Sequence, residues 1–236
     1  MVMIGISSSP NIDGNVDRMI QYILERSGKQ TFFVNLSNLL FSPCRACAHL
    51  CAKDNLCKIE DDLKPLYSKI IQADSLILGT PSYFNDTNGF MRVFLERLWS
   101  LRHLKFPLQG KPYYVIAVGG IQTPYKAIES VKSRMDAYRA SFQGSVAFNS
   151  NIIPCFTCGF GTKCSVGASQ YVYGEETRKN LEITEESFKK WEDCPETKEK
   201  VDMIIRCNVG VINIYINGGR RRRRVYQRTS RRNPAI

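Results

Sequence analysis

The sequence predicts an α/β fold: a doubly wound, five-stranded parallel sheet with helices on both faces. Three observations predict it. Short apolar runs alternate with longer segments whose apolar residues recur at helical spacing. The first run, Val2 to Ser7, lacks the alternation of a half-exposed strand and suits one buried on both sides. The runs end in Gly-, Ser- and Pro-bearing stretches short enough to lead directly into helices.

Taken in order, residues 2 to 7 form the first strand. The loop Ser7-Ser8-Ser9-Pro10-Asn11-Ile12-Asp13-Gly14-Asn15-Val16 opens a helix over Asn15 to Arg26, with Met19, Ile20, Ile23 and Leu24 on one face. Outward N–H groups, the helix dipole and serine hydroxyls suit a phosphate at such a place. A plain strand-to-helix turn with serine caps reads equally well from this loop alone. Thr31 to Leu36 is the second strand, and Asp61 to Ala73 a helix with Leu63, Leu66, Ile70 and Ile71 apolar. Ser75 to Leu78 is the third strand, followed by a loop from Gly79 to Asp86. The next helix, Asn88 to Leu101, is expected to turn Phe90, Val93, Phe94, Leu98 and Trp99 inward. Tyr113 to Val118 is the fourth strand, ending in Gly119-Gly120. A helix over Tyr125 to Ala140 and a fifth strand over Ser145 to Ile153 complete the sheet. Ligands of such sheets bind beyond the carboxyl ends of the strands, where loops 7–16, 80–86 and 118–122 would meet.

After Cys164 the chain turns polar, with a helix expected over Glu182 to Trp191. Pro195 suits the first position of a last helix. Val201, Ile204, Ile205, Val209, Ile212 and Ile216 carry its helical period to Asn217, and Gly218-Gly219 ends it. The chain divides into a domain over 1–180, a helical extension over 181–217 and an arginine-rich tail over 218–236. The tail holds eight arginines and no acid, so the formal net charge of +11 falls to +3 without it. Basic character is a property of the tail; no nucleic-acid-binding fold accompanies it, so the chain is not read as a nucleic-acid binder.

At 236 residues, 43% hydrophobic and 23% charged, the composition is that of an ordinary globular domain. No run of about 18 apolar residues predicts a membrane span, and the N-terminus lacks the basic start of a secretion signal. Nine cysteines in such a chain point to a reducing cytoplasm and to metal or redox use.

Four of the nine fall together as Cys44, Cys47, Cys51 and Cys57, spaced C-x2-C-x3-C-x5-C. So compact a run suits one metal centre better than two relaxed disulfides. By itself it fits a [4Fe–4S] cluster or a structural zinc. A second set, Cys155, Cys158 and Cys164, is one ligand short of a four-cysteine site and reads as an open or shared metal site, a redox pair or buried thiols. His49, inside the cysteine loop, is expected to face solvent, and His103 shows no catalytic partner. No Ser-His-Asp or Cys-His-Asp arrangement supports a hydrolase.

Three motifs in one order resemble the iron–sulfur flavoproteins of the flavodoxin-like, NAD(P)H-dependent FMN reductase superfamily, over residues 1 to about 165. The family's G-S-P-R-x-x-G-N-T phosphate loop corresponds to Ser8-Ser9-Pro10-Asn11 and Gly14-Asn15-Val16. Asn11 stands in place of the arginine and Val16 in place of the threonine, which removes two phosphate donors, one of them charged. The P-x-Y-[FW]-[GN] loop that cups the flavin ring corresponds to Pro81-Ser82-Tyr83-Phe84-Asn85. Gly119-Gly120 corresponds to the backbone beside the ring's other edge. The cysteine motif has one extra residue before Cys51.

The resemblance implies FMN on Ser7, Ser8, Ser9, Asn11, Gly14, Asn15, Val16, Pro81 to Asn85, Gly119 and Gly120, and a [4Fe–4S] cluster on Cys44, Cys47, Cys51 and Cys57. It further implies a homo-oligomer, dimer or tetramer; the charge of the arginine tail suits an acidic electron carrier such as ferredoxin. The cofactors would perform the redox chemistry, so no catalytic acid or base is assigned. Two other readings stay open: an NAD(P)H-dependent FMN or quinone reductase with structural zinc, and a non-enzymatic redox sensor whose tail meets an effector.

Overall fold

The computed structural model describes residues 1–120, 123–150, 158, 160, 164, 166, 174, 176 and 184–208. Strands β1 (Val2–Ser7), β2 (Gln30–Asn35), β3 (Ser75–Tyr83), β5 (Pro112–Gly119) and β6 (Ser141–Asn149) pair in parallel in the order β2-β1-β3-β5-β6. That is the flavodoxin-type order, in which the direction of strand addition reverses between β1 and β3.

Alternate residues of each strand feed separate cores. Met3, Ile77, Tyr114 and Ile116 face α1 (Asn15–Arg26) and α6 (Pro195–Asn208). Ile4, Ile6, Leu76, Leu78, Val115 and Ala117 face α3 (Lys64–Gln72), α4 (Gly89–Arg97) and α5 (Thr123–Asp136). A strand between two helical layers therefore has no polar side, which explains the unbroken apolar runs. No helix among the described residues is long and apolar enough to cross a membrane.

The short strand β4 (Asp86–Thr87) was expected to be loop. It pairs antiparallel with the end of β3, Ser82 with Thr87 and Tyr83 with Asp86. The turn between them is Phe84-Asn85, both left-handed, with φ of 51° and 60°. A two-residue hairpin turn with both centres at positive φ matches the twist of its strands. The sheet thus has five parallel strands plus this short antiparallel one.

Phe94 and Leu98 are buried as expected, but Phe90 and Trp99 are exposed, and Met91 and Leu95 join the core in their place. The α-helix ends at Arg97 and continues as a 3-10 turn over Leu98–Arg102, which shifts the phase. The segment read as a helix ending at Trp191 forms two separate 3-10 turns, Glu185–Ser187 and Trp191–Asp193. Thr184 and Ser187 close a capping box around the first, and its C-cap, Phe188, leaves helical geometry. Residues 182–183, the strand end at 151–153, Cys155, the last helix beyond Asn208 and the whole tail lie outside the described residues.

Candidate functional site

The phosphate-type loop is held from beneath. The Ser7 hydroxyl donates to Asp17 Oδ1. Asp17 also accepts from the Asn35 amide at 3.0 Å and from the Asp13 N–H at 3.2 Å. Burial pushes the Asp17 carboxyl up, against the lowering effect of the hydrogen bonds from Ser7, Asn35 and Asp13. The Ser8 hydroxyl and N–H both donate to the Gly79 carbonyl, at 3.1 and 2.9 Å. The Ser9 hydroxyl donates to the Asn11 carbonyl at 3.1 Å. The three serine side chains are therefore occupied in shaping the loop.

Asn15 is also engaged. Its amide donates to the Lys189 carbonyl at 3.0 Å, and its oxygen accepts from Trp191 N–H at 3.1 Å and from Arg18 at 2.8 Å. Val16, 2% exposed, points into the core beside Gly79, and Asn11 is exposed. What the loop offers an anion is the start of α1, where Gly14 makes no side-chain cap. Uncapped first-turn N–H groups and the helix dipole are the elements of a phosphate site.

Gly79 lets the helix come this close. A Cβ there would lie 2.5 Å from Ile20 Cδ1 and 2.6 Å from Val16 Cγ1. Gly119 serves packing in the same way, since a Cβ there would lie 2.9 Å from Ser82 Cβ and 2.5 Å from Thr123 Oγ1. Gly120 faces open space at the sheet's edge. Of the five residues expected to cup a ring, Pro81 and Ser82 are half-buried within β3. Tyr83, Phe84 and Asn85 stand exposed on the hairpin.

A cavity of about 360 Å³ lies between Pro10 of the first loop, Tyr83 of the hairpin, Phe90 and Val93 of α4, and Phe41. Phe41 leads into the cysteine loop, so this apolar cleft adjoins both candidate cofactor regions. Asn88, which sequence reasoning missed, joins them: its oxygen caps α4 at Met91 N–H (3.2 Å) and its amide donates to the Ser8 carbonyl (2.6 Å). A polar residue immediately before an apolar-periodic helix was the available signal.

The cysteine loop leaves β2 at the same edge. Its two ends are tied together. Leu40 N–H donates to Asp62 Oδ2 at 2.7 Å and Asp62 N–H to the Leu40 carbonyl at 3.2 Å. Ser42 N–H donates to Asp61 Oδ2 at 3.2 Å. Within the loop, left-handed Ala46 (φ 53°) bends the chain between Cys44 and Cys47. A single helical turn, α2 (Ala48–Cys51), follows. Left-handed Asn55 (φ 64°, 2% exposed) clamps the far side to Leu104 N–H and the Lys105 carbonyl, at 2.6 and 2.7 Å.

Cys51 and Cys57 are buried, Cys47 half-buried and Cys44 exposed. Burial first, and then the charges of Cys47, Cys57 and Cys44, push the Cys51 thiol up. The four sulfurs share one electrostatic neighbourhood, although no three His, Cys, Asp or Glu side chains among the described residues close to single-ion spacing. Four thiolates gathered at a partly buried site repel one another unless a cationic centre joins them, so the donor set suits an inorganic centre. His49 is exposed, as expected. Cys158 is exposed and Cys164 half-buried, with Cys155 outside the described residues.

Residues 1–152 match the model of the family described as NADPH-dependent FMN reductase. An iron–sulfur flavoprotein of Methanosarcina thermophila is 31% identical over 140 residues, which cover 57% of this chain and 73% of that protein. One of Methanocaldococcus jannaschii is 33% identical over 122 residues, 50% of this chain and 62% of the relative, so the match spans less than two thirds of its length. Among solved structures, an azoreductase of Bacillus anthracis str. Sterne superposes with a TM-score of 0.54 at 11% identity, covering 89% of this chain and 99% of that one. That last likeness shows the fold alone.

Proposed function

The chain belongs to the iron–sulfur flavoproteins of the NADPH-dependent FMN reductase family, and on that premise we propose that it is a flavin-dependent oxidoreductase, transferring electrons through FMN and a [4Fe–4S] cluster. The observation that carries the reading is the meeting of two sites at one sheet edge: an uncapped helix start beside an apolar cleft, and four cysteines on a loop entering the same cleft at Phe41.

When bound, the two cofactors supply one- and two-electron chemistry that side chains lack. The chain's own residues hold, orient and shield. The first-turn N–H groups of Asn15, Val16 and Asp17 would receive the phosphate. The inward-turned serines and Asn88 keep that loop in one shape, while Tyr83 at the cleft and exposed Phe84 next to it in the hairpin would flank the ring. Cys44, Cys47, Cys51 and Cys57 would ligate the cluster, and the burial of Cys51 and Cys57 shields its inner side from water.

A ferredoxin-like carrier is the partner that fits: eight arginines in residues 218–236 match an acidic protein surface. Exposed Tyr83, Phe84, Phe90 and Trp99 support assembly with further copies of the chain. An anaerobic visible spectrum with iron, labile sulfide and flavin counts tests the reading. One FMN and one cluster per chain are expected, with iron but not FMN lost in Cys51→Ser. A preparation with flavin but neither iron nor sulfide would refute the cluster.

A further inference from the structure

We propose that Arg97 is a positioning residue for the centre on the cysteine loop: its buried guanidinium closes the loop's base and keeps a positive charge with an unspent N–H beside Cys57. The inference rests on the reading that Cys44, Cys47, Cys51 and Cys57 hold an iron–sulfur cluster.

Arg97 is the last residue of α4, at the helical phase of Phe94 and Leu101, which are both buried. Its side chain is 0% exposed. A guanidinium in such a place must be paired. Nη1 and Nη2 donate to Asp61 Oδ2 and Oδ1 at 2.5 and 3.1 Å, a two-pronged contact. Nη1 also donates to the Ser42 carbonyl at 2.8 Å. Asp61 lies four residues after Cys57, and Ser42 two before Cys44. One side chain therefore grips both ends of the loop that carries the cysteines.

Two buried groups, Tyr67 and Cys57, adjoin this grip. The Tyr67 hydroxyl donates to the Arg97 carbonyl at 3.1 Å and lies beside the Cys57 thiol. Cys57 is within electrostatic reach of the guanidinium. Burial opposes the charge on Arg97, but the hydrogen bond to Asp61 and the nearby Tyr67, Cys57 and Asp61 outweigh it and hold the group protonated. The Nε–H is buried without a partner. A buried unsatisfied donor is costly and calls for an acceptor. A thiolate or sulfide of a centre on Cys57 would supply one.

Two consequences follow. The loop's base stays closed with or without a bound centre, so the ligands are gathered beforehand. A fixed positive charge and an N–H beside cluster sulfur favour the reduced form, which carries one more electron, and so raise the reduction potential. Lysine keeps the charge but has no fork to span Asp61 and Ser42.

The test compares anaerobically purified wild type, Arg97→Lys and Asp61→Asn by iron and sulfide content, chelator-driven iron release, EPR-monitored redox titration and far-UV circular dichroism. Arg97→Lys is expected to release iron several-fold faster. Its oxidised-to-reduced ratio at a fixed potential should rise tenfold, a shift of about 59 mV downward for a one-electron couple, with the flavin potential unmoved. Asp61→Asn removes the neutralising carboxylate and is expected to shift the ratio the opposite way. A folded Arg97→Lys protein that assembles no cluster supports the positioning role. If Arg97→Lys misfolds, Asp61→Asn decides: a fall in its ratio supports the role, and an unchanged or raised ratio overturns it. Arg97 is also overturned as a positioning residue if both variants keep wild-type iron release and a ratio within twofold. Absence of iron and sulfide from the wild type overturns the underlying reading, and this inference with it.

Discussion

Asn88 donates a hydrogen bond from its side-chain amide to the Ser8 carbonyl at 2.6 Å, so the residue that caps α4 also closes the phosphate-type loop. Both partners are buried, at 2% and 0% exposure. Asn88→Ala loses the cap, worth about 1 kcal/mol, and strands a buried carbonyl at about 1–3 kcal/mol. Asn88→Asp keeps the cap and loses only the donor. Chemical denaturation of the two variants should rank them wild type, Asp, Ala. FMN affinity, read by flavin fluorescence, should fall in both, because both free the Ser8 loop.

Asp17 gives the pH dependence an unusual sign. Burial holds its carboxyl above the ordinary 3.8, so the folded state binds its proton more tightly than the unfolded chain does. Its contribution to stability is fully present below the unfolded value and is lost as pH rises through the higher folded value. Denaturation midpoints of the cofactor-free protein should therefore show a component that falls as pH rises above 3.8 through the folded value. Asp17→Asn should abolish that component, and an unchanged pH profile in the variant would refute the assignment.

Phe84 combines full exposure with a left-handed backbone at φ 51°, in a turn that favours Asn or Gly. Left-handed geometry costs a non-glycine residue about 1–2 kcal/mol, and Phe84 buries nothing within the chain to offset it. Phe84→Asn is expected to raise the melting temperature of the cofactor-free protein and to weaken FMN binding. If the variant binds FMN as tightly as wild type, the strained aromatic has no part in the ring site.

Asn55 holds the cysteine loop against residues 104 and 105 with two short hydrogen bonds from a left-handed position. Asn55→Gly keeps the backbone geometry and removes the clamp; Asn55→Ala removes the clamp and adds strain. We expect losses of about 1–3 kcal/mol for the first and about 1 kcal/mol more for the second. Reconstituted iron should dissociate faster from both in chelator competition.

Much of the fold is legible in the chain because it is local. Helix α1 begins at Asn15 and ends at Arg26 as its apolar period requires, and Pro195 opens α6. The strand runs are apolar because both sheet faces are covered. The end of β3 is less legible. Gly79 and Pro81 read as loop, yet both pair with β5, and the strand runs on to Tyr83 because Asp86–Thr87 folds back onto Ser82 and Tyr83. Trp99 falls inward only if one helical period extends past the point where α4 tightens into a 3-10 turn.

Spacing alone settled that four cysteines share one short loop, that a serine-rich turn opens a helix at a strand end, and that the strands alternate with helices. Only the tertiary structure decided where the polar groups are spent. The sequence counts hydroxyls in Ser7-Ser8-Ser9; the fold turns them inward to Asp17, Gly79 and Asn11 and leaves the helix N-terminus without a side-chain cap. Arg97 was visible as a charge at an apolar helical phase, but its partners lie 36 and 55 residues away. Periodicity and spacing belong to the local chain, whereas a buried donor takes whichever acceptor the crossover connections bring beside it.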